Sequence, residues 1–103
     1  MGSTGAHSTL KIKLNAIKNM TFKEEPFIAG MKYFVGEVRD VGRATISPAG
    51  LNNSSWIISV AKPLGDGNYS PVDIPQAVKT ASSVQAAEKL VKIWLENIAK
   101  GKV

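Results

Sequence analysis

Chemistry needs titratable or nucleophilic groups held at fixed spacing, and this sequence offers few of them. Its one histidine, His7, stands among small polar residues at the N-terminal end. Nothing there holds an imidazole in the geometry of a general base or a metal ligand. There is no cysteine, which excludes disulfides, thiolate metal sites and thiol nucleophiles. Glu24 and Glu25 are adjacent, so in an extended segment they point apart. They make a poor pair for glycoside chemistry and a poor metal site. Asp66 and Asp73 share one loop, but no further oxygen ligands follow at a calcium-binding spacing. No Gly-x-Gly-x-x-Gly or P-loop occurs, and Gly65-Asp66-Gly67 is a turn signal. The expectation is a binding domain without catalytic residues, metal or cofactor.

The residues suited to binding are cations and aromatics. Thirteen Lys+Arg face eight Asp+Glu, giving a formal +5. A field of that sign draws nucleic acid, anionic surfaces or acidic proteins. Residues 1–43 carry seven basic and four acidic groups, and residues 44–103 carry six and four, so neither half dominates. Eleven of the cations are lysine; arginine, the bidentate reader of phosphate and guanine, occurs only as Arg39 and Arg43. Single-stranded nucleic acid needs a cationic groove with aromatic rings on which bases stack. The residues that fit are Lys11, Lys13, Lys32, Tyr33, Phe34, Arg39 and Arg43, on a cationic sheet face. Trp56 joins them only if it faces away from the core, and core packing is its preferred place. On this reading Lys11→Glu with Lys13→Glu weakens binding to every sequence and lowers its salt slope.

The alternative is a protein-interaction module, such as an adaptor, an inhibitor or a self-associating subunit. Residues 62–75 hold three prolines and two glycines and read as one long irregular loop, a kind of segment that often carries function. Leu64, Asp66 and Tyr69 are its contact candidates. The two readings differ in where the cations fall. Clustering of Lys11, Lys13, Lys32, Arg39 and Arg43 on one concave surface supports nucleic acid, and scattering supports the interaction module.

The elements that position these residues follow from hydrophobic spacing. Residues 1–8 are small and polar and read as a disordered tail preceding a domain over 9–103. Leu10, Ile12 and Leu14 alternate with Lys11 and Lys13, the pattern of a half-buried strand; a helix through Leu10, Leu14 and Ile17 is the competing arrangement. Glu25-Pro26 breaks the chain. Met31 to Arg39 reads as a strand whose parity switches near Gly36, which suggests a β-bulge. Asp40-Val41-Gly42 reads as a hairpin loop with Gly42 at positive φ. Ala44 to Ser47 returns, Pro48 stops it, and residues 49–54 are turn-rich. Ser55 to Ala61 is a strand with Trp56, Ile58 and Val60 on one face. A tight turn falls at Gly65 to Asn68, and Gln76 to Ala81 reads as a further short strand.

The last segment reads as an amphipathic helix. Ser82 caps it with Gln85 completing a capping box. Val84, Ala87, Val91, Trp94, Leu95 and Ile98 form its apolar stripe, and Gly101 ends it. The stripe places Trp94 in the core, where truncation to alanine costs roughly 3 kcal/mol or more. The fold class is therefore α+β: an antiparallel, curved sheet of four to five strands with one long C-terminal helix on one face. One helix cannot bury both sheet faces, so the other face is left to solvent, to a ligand or to a second copy in a sheet-to-sheet homodimer. No stretch reaches the roughly 18 apolar residues of a membrane span. The N-terminus has neither a charged start with an apolar run nor a myristoylation pattern, so cytoplasmic residence without membrane contact is expected.

Overall fold

The computed structural model describes residues 2–50 and 54–103, with side chains from Thr9 onward. Met1, the side chain of His7, and the Leu51–Asn53 part of the turn-rich segment lie outside the described residues. In chain order the elements are α1 (Gly2–Lys18), β1 (Lys23–Pro26), β2 (Lys32–Val38), β3 (Gly42–Pro48), β4 (Trp56–Pro63), β5 (Tyr69–Pro71), β6 (Thr80–Ala81) and α2 (Val84–Ala99). The strands form one antiparallel sheet in the order β1-β2-β3-β4-β5, and β6 also pairs with β4. Both helices contribute to one core on one sheet face. Ile17 of α1 and Ala87, Val91 and Leu95 of α2 are fully buried with Ile46 of β3 and Ile58 and Val60 of β4. The α+β antiparallel architecture with a packed C-terminal helix is as the sequence indicates.

The first helix corrects the strand expected over Leu10–Leu14. Five alternating residues fit a period of 2, but Leu14 and Ile17 fit a period of 3.6 equally well. Tertiary packing decides between them: Ile17 has no exposed surface, and Leu14 packs against the buried cluster. Ile12, placed inward by the strand pattern, is 68% exposed. The helix bounds reach back to Gly2, through the residues whose composition sets them apart as a tail.

Two glycines have other reasons than those expected. β2 pairs with β3 in continuous register from Phe34↔Ile46 to Val38↔Gly42, with no bulge at Gly36. Instead, Phe34, Gly36 and Val38 share the core-facing side, and Tyr33, Val35 and Glu37 share the other. Gly36 leaves room for Met20 and Phe22: a Cβ there would meet Met20 Cε at 2.6 Å and the Phe22 ring at 2.9 Å. Gly42 does not take the positive φ of the hairpin. Asp40 does, at 64°, a conformation that aspartate tolerates better than most residues. A Cβ at Gly42 would lie 2.7 Å from the Ala61 carbonyl oxygen and 3.1 Å from Leu95 Cδ2.

Backbone gives way less readily than the end of a side chain. Gly42→Ala is therefore expected to cost about 2–3 kcal/mol and Gly36→Ala only about 1, within the range for overpacked sites. Urea denaturation of both variants checks the order; equal midpoints would contradict it.

The expected long loop is mostly a hairpin. β4 runs on to Pro63, Leu64 N–H donates to the Asn68 carbonyl at 2.9 Å, and β5 follows at once. Gly65 and Gly67 at positive φ make the tight turn, as their spacing suggests. Beyond β5 a single 3-10 turn over Gln76–Val78 precedes the two-residue β6, in place of the expected strand over 76–81. The α2 cap is Ser83 rather than Ser82. Its Oγ accepts from Ala86 N–H at 3.1 Å, and with Ala86 at the third helical position no capping box forms. Gly101, φ 75°, ends α2, with Lys102 N–H reaching the Asn97 carbonyl at 2.8 Å.

Candidate interaction surfaces

The sheet side away from the helices carries Lys23 and Glu25 of β1, Tyr33, Val35 and Glu37 of β2, Arg43, Thr45 and Ser47 of β3, Ile57, Ser59 and Ala61 of β4, and Tyr69 of β5. This face curls. The Tyr69 hydroxyl donates a short hydrogen bond to Glu37 Oε2, although β3 and β4 lie between their strands. In a flat sheet, three strand spacings would hold those backbones about 14 Å apart. The side chains meet because the sheet bends toward its open side, and the pair spans the concavity as a strap.

The strap raises the Tyr69 pKa above its ordinary 10.0. The hydrogen bond to Glu37 is the first cause, followed by lost hydration and the nearby carboxylate charge, while Arg43 pulls the other way. A raised tyrosine pKa favours the neutral phenol. The strap is therefore complete below 10.0 and is lost as pH rises through the higher folded-state value. Glu37→Gln is expected to move Tyr69 back toward 10.0 in a titration followed by phenolate absorbance. An unchanged titration would mean that the pair does not form.

Two hairpin tips meet at the same end of the sheet. The β2–β3 tip supplies Arg39 and Asp40, and the β4–β5 hairpin supplies Pro63, Leu64, Gly65, Gly67, Asn68 and Tyr69. With Glu37 they line a cleft of about 810 Å³. Leu64 is 59% exposed at its edge. Of the three loop candidates, Leu64 and Tyr69 line the cleft, while Asp66 sits at the exposed turn and does not. Glu37 and Asp40, absent from the sequence-based set, are brought in by the curl and by the left-handed backbone at Asp40.

The seven nucleic-acid candidates do not share one surface. Lys11 and Lys13 are on α1, in the helical layer. Lys11 lines a groove against α2, whereas Lys13 lines a separate hollow with Arg39 and Asp40. Lys32 Nζ is bound to Glu24 Oε2 at 2.9 Å. Phe34 lies on the core side, its ring edge-on to Trp56 at 5.9 Å between centroids, and Trp56 is buried. Tyr33 and Arg43 do stand on the open face, lining a depression of about 610 Å³ with Lys23, Glu25 and Glu37.

Charge is segregated by layer. α1 carries Lys11, Lys13 and Lys18 with no acid. α2 and the residues after it carry Lys89, Lys92, Lys100 and Lys102 against Glu88 and Glu96. The remaining six cations, Lys23, Lys32, Arg39, Arg43, Lys62 and Lys79, are equalled in number by Glu24, Glu25, Glu37, Asp40, Asp66 and Asp73. The whole formal excess of +5 thus belongs to the helical layer, and the sheet is neutral.

Among the described residues, no group of three or more His, Cys, Asp or Glu side chains is placed to hold a metal, and no helix is long and apolar enough to cross a membrane. Comparison with known proteins returns no match: no family model fits the chain, and neither a curated protein nor a solved structure is similar to it.

Proposed function

We propose that this protein is a non-enzymatic protein-interaction module that holds its partner in the cleft between the β2–β3 and β4–β5 hairpin tips. The observation that carries this reading is the convergence of both tips on exposed Leu64, beside Tyr69 held by Glu37. An exposed leucine next to an oriented tyrosine and an arginine has the makings of an interface centre. The tight turns around it keep the ordering cost of docking low. Scattering of the cations and neutrality of the sheet also favour it, because a sheet without excess charge does not attract phosphate. Self-association through the open face is the form of this reading in which the partner is a second copy.

Single-stranded nucleic acid is the second reading, favoured by the +5 of the chain. It engages the helical layer rather than the sheet. The experiment that separates the two is selection of a random peptide library on the folded protein, with a Leu64→Asp, Tyr69→Ala variant as counter-selection. Fluorescence-anisotropy titration with single-stranded and duplex oligonucleotides at two salt concentrations runs alongside. A peptide consensus retained by the wild type and lost by the variant supports the cleft. Absence of a consensus, with single-strand affinity that falls steeply with salt, overturns it in favour of nucleic acid.

A further inference from the structure

The helical layer holds a second surface that the hairpin cleft does not use. Between α1 and α2 runs a groove of about 640 Å³ lined by Lys11, Ile12, Leu14, Lys18 and Lys92, with Asn15 and Glu96. Lys11 and Lys18 are seven residues apart on α1, about two turns, so they stand on one face about 10 Å apart along the axis with Leu14 between them. Lys92 comes from α2. Its Nζ donates to the Lys18 carbonyl at 3.0 Å, which fixes one ammonium at the C-terminal end of α1 and keeps two N–H groups for a ligand. Ile12, 68% exposed, stands on the lip. The groove is thus an apolar strip bounded by three ammonium groups, within the layer that holds the whole charge excess.

We infer that this groove docks an acidic amphipathic segment of a partner protein, at a site distinct from the hairpin cleft. Carboxylates one or two turns apart on a helical segment meet Lys11, Lys18 and Lys92, while an apolar side chain between them covers Ile12 and Leu14. This is the helix-in-groove mode of recognition, with charge setting the register. Glu96, at the α2 side, accepts a single cation at one end of the segment and gives it direction. Nucleic acid fits less well: the groove lining has no aromatic ring and no arginine, and phosphates gain nothing from the apolar strip. A lipid surface needs a protruding apolar face, whereas here the apolar strip lies in a groove that also holds a carboxylate. With the hairpin cleft at the sheet tips, a groove partner makes the protein a two-sided adaptor.

The test is a ¹⁵N-HSQC titration of the folded protein with a synthetic peptide of about four helical turns, bearing glutamates seven residues apart around a leucine. A scrambled peptide of the same composition, oligothymidylate and phosphatidylcholine–phosphatidylglycerol vesicles are the comparison probes. Lys11, Ile12 and Lys18 are all exposed, so variants there leave the fold intact. The patterned peptide is expected to shift residues of the α1–α2 groove. Lys11→Glu with Lys18→Glu is expected to weaken it at least about tenfold, the scale of lost charge contacts at a docking surface. Ile12→Asp is also expected to weaken it, and Leu64→Asp, Tyr69→Ala to leave it unchanged, which separates this site from the cleft. Equal affinity for the scrambled peptide, or no shifts in the groove, overturns the inference. So does tighter binding of oligothymidylate or vesicles at the same residues without dependence on Ile12.

Discussion

Leu95→Ala is expected to destabilise the protein by roughly 3–5 kcal/mol, the upper part of the range for a buried leucine truncated to alanine. Leu95 has no exposed surface and shares a cluster with Val91, Ala87 and Ile17 of the helices and Ile46, Ile58 and Val60 of the sheet. Its Cδ2 also sits where a Cβ on Gly42 would reach within 3.1 Å, so the hairpin backbone lies close against it. Removing three carbons here loses their transfer energy and leaves a cavity between two layers that cannot both move in. Such a loss is a large fraction of the stability of a domain of this size.

Trp94→Ala is expected to cost less than Leu95→Ala, because Trp94 is half-buried and packs at the margin of the cluster. This corrects the weight that the apolar stripe alone gives to the tryptophan. At 100° per residue, Ala87, Val91 and Leu95 repeat every four positions and point at the sheet, and Trp94 falls to one side of that line. Denaturation midpoints of the two variants in urea check the order; a larger loss at Trp94 would place the core elsewhere.

The second large effect concerns binding. Leu64→Asp with Tyr69→Ala is expected to lower the affinity of a cleft-selected peptide by at least about a hundredfold, the scale reached when interface anchors are removed. The aspartate places a charge where an apolar contact is made, and loss of the phenol removes both contact area and the strap to Glu37. Leu64 is exposed, and Tyr69 lies in a three-residue edge strand, so stability should change little. Glu37→Gln alone keeps the shape of the pair and is expected to cost far less. A double variant that binds like the wild type would remove the cleft from the site.

Much of the sheet was legible in the sequence because its signals are local. Trp56, Ile58 and Val60 alternate, Gly65 to Asn68 makes its turn through glycine conformations, and the α2 stripe covers four turns. What could not be read depends on partners distant in the chain. Leu10–Leu14 became helical because Ile17 fills a place beside α2, a fact no five-residue pattern contains. Gly36 and Gly42 are glycines because Met20, Phe22 and the Ala61 carbonyl approach them, not because of their own φ angles. The candidate site suffered most. Placing Lys11 and Lys13 on the helical layer removed two of the five cations from the sheet, and Glu24 engages a third through Lys32. Glu37 joined the cleft only because the sheet curls far enough to bring β2 within reach of Tyr69.

The most direct measurement is a ¹⁵N-HSQC map of the folded protein with a peptide selected on it, recorded beside the same spectrum with a single-stranded oligonucleotide. The expected result is peptide-induced shifts concentrated at Glu37 to Val41 and Leu64 to Tyr69, with the oligonucleotide leaving Tyr33 and Arg43 unmoved. Shifts at Tyr33 and Arg43 on adding the oligonucleotide, with the hairpin tips silent to every selected peptide, would contradict the assignment and return the sheet face to nucleic acid.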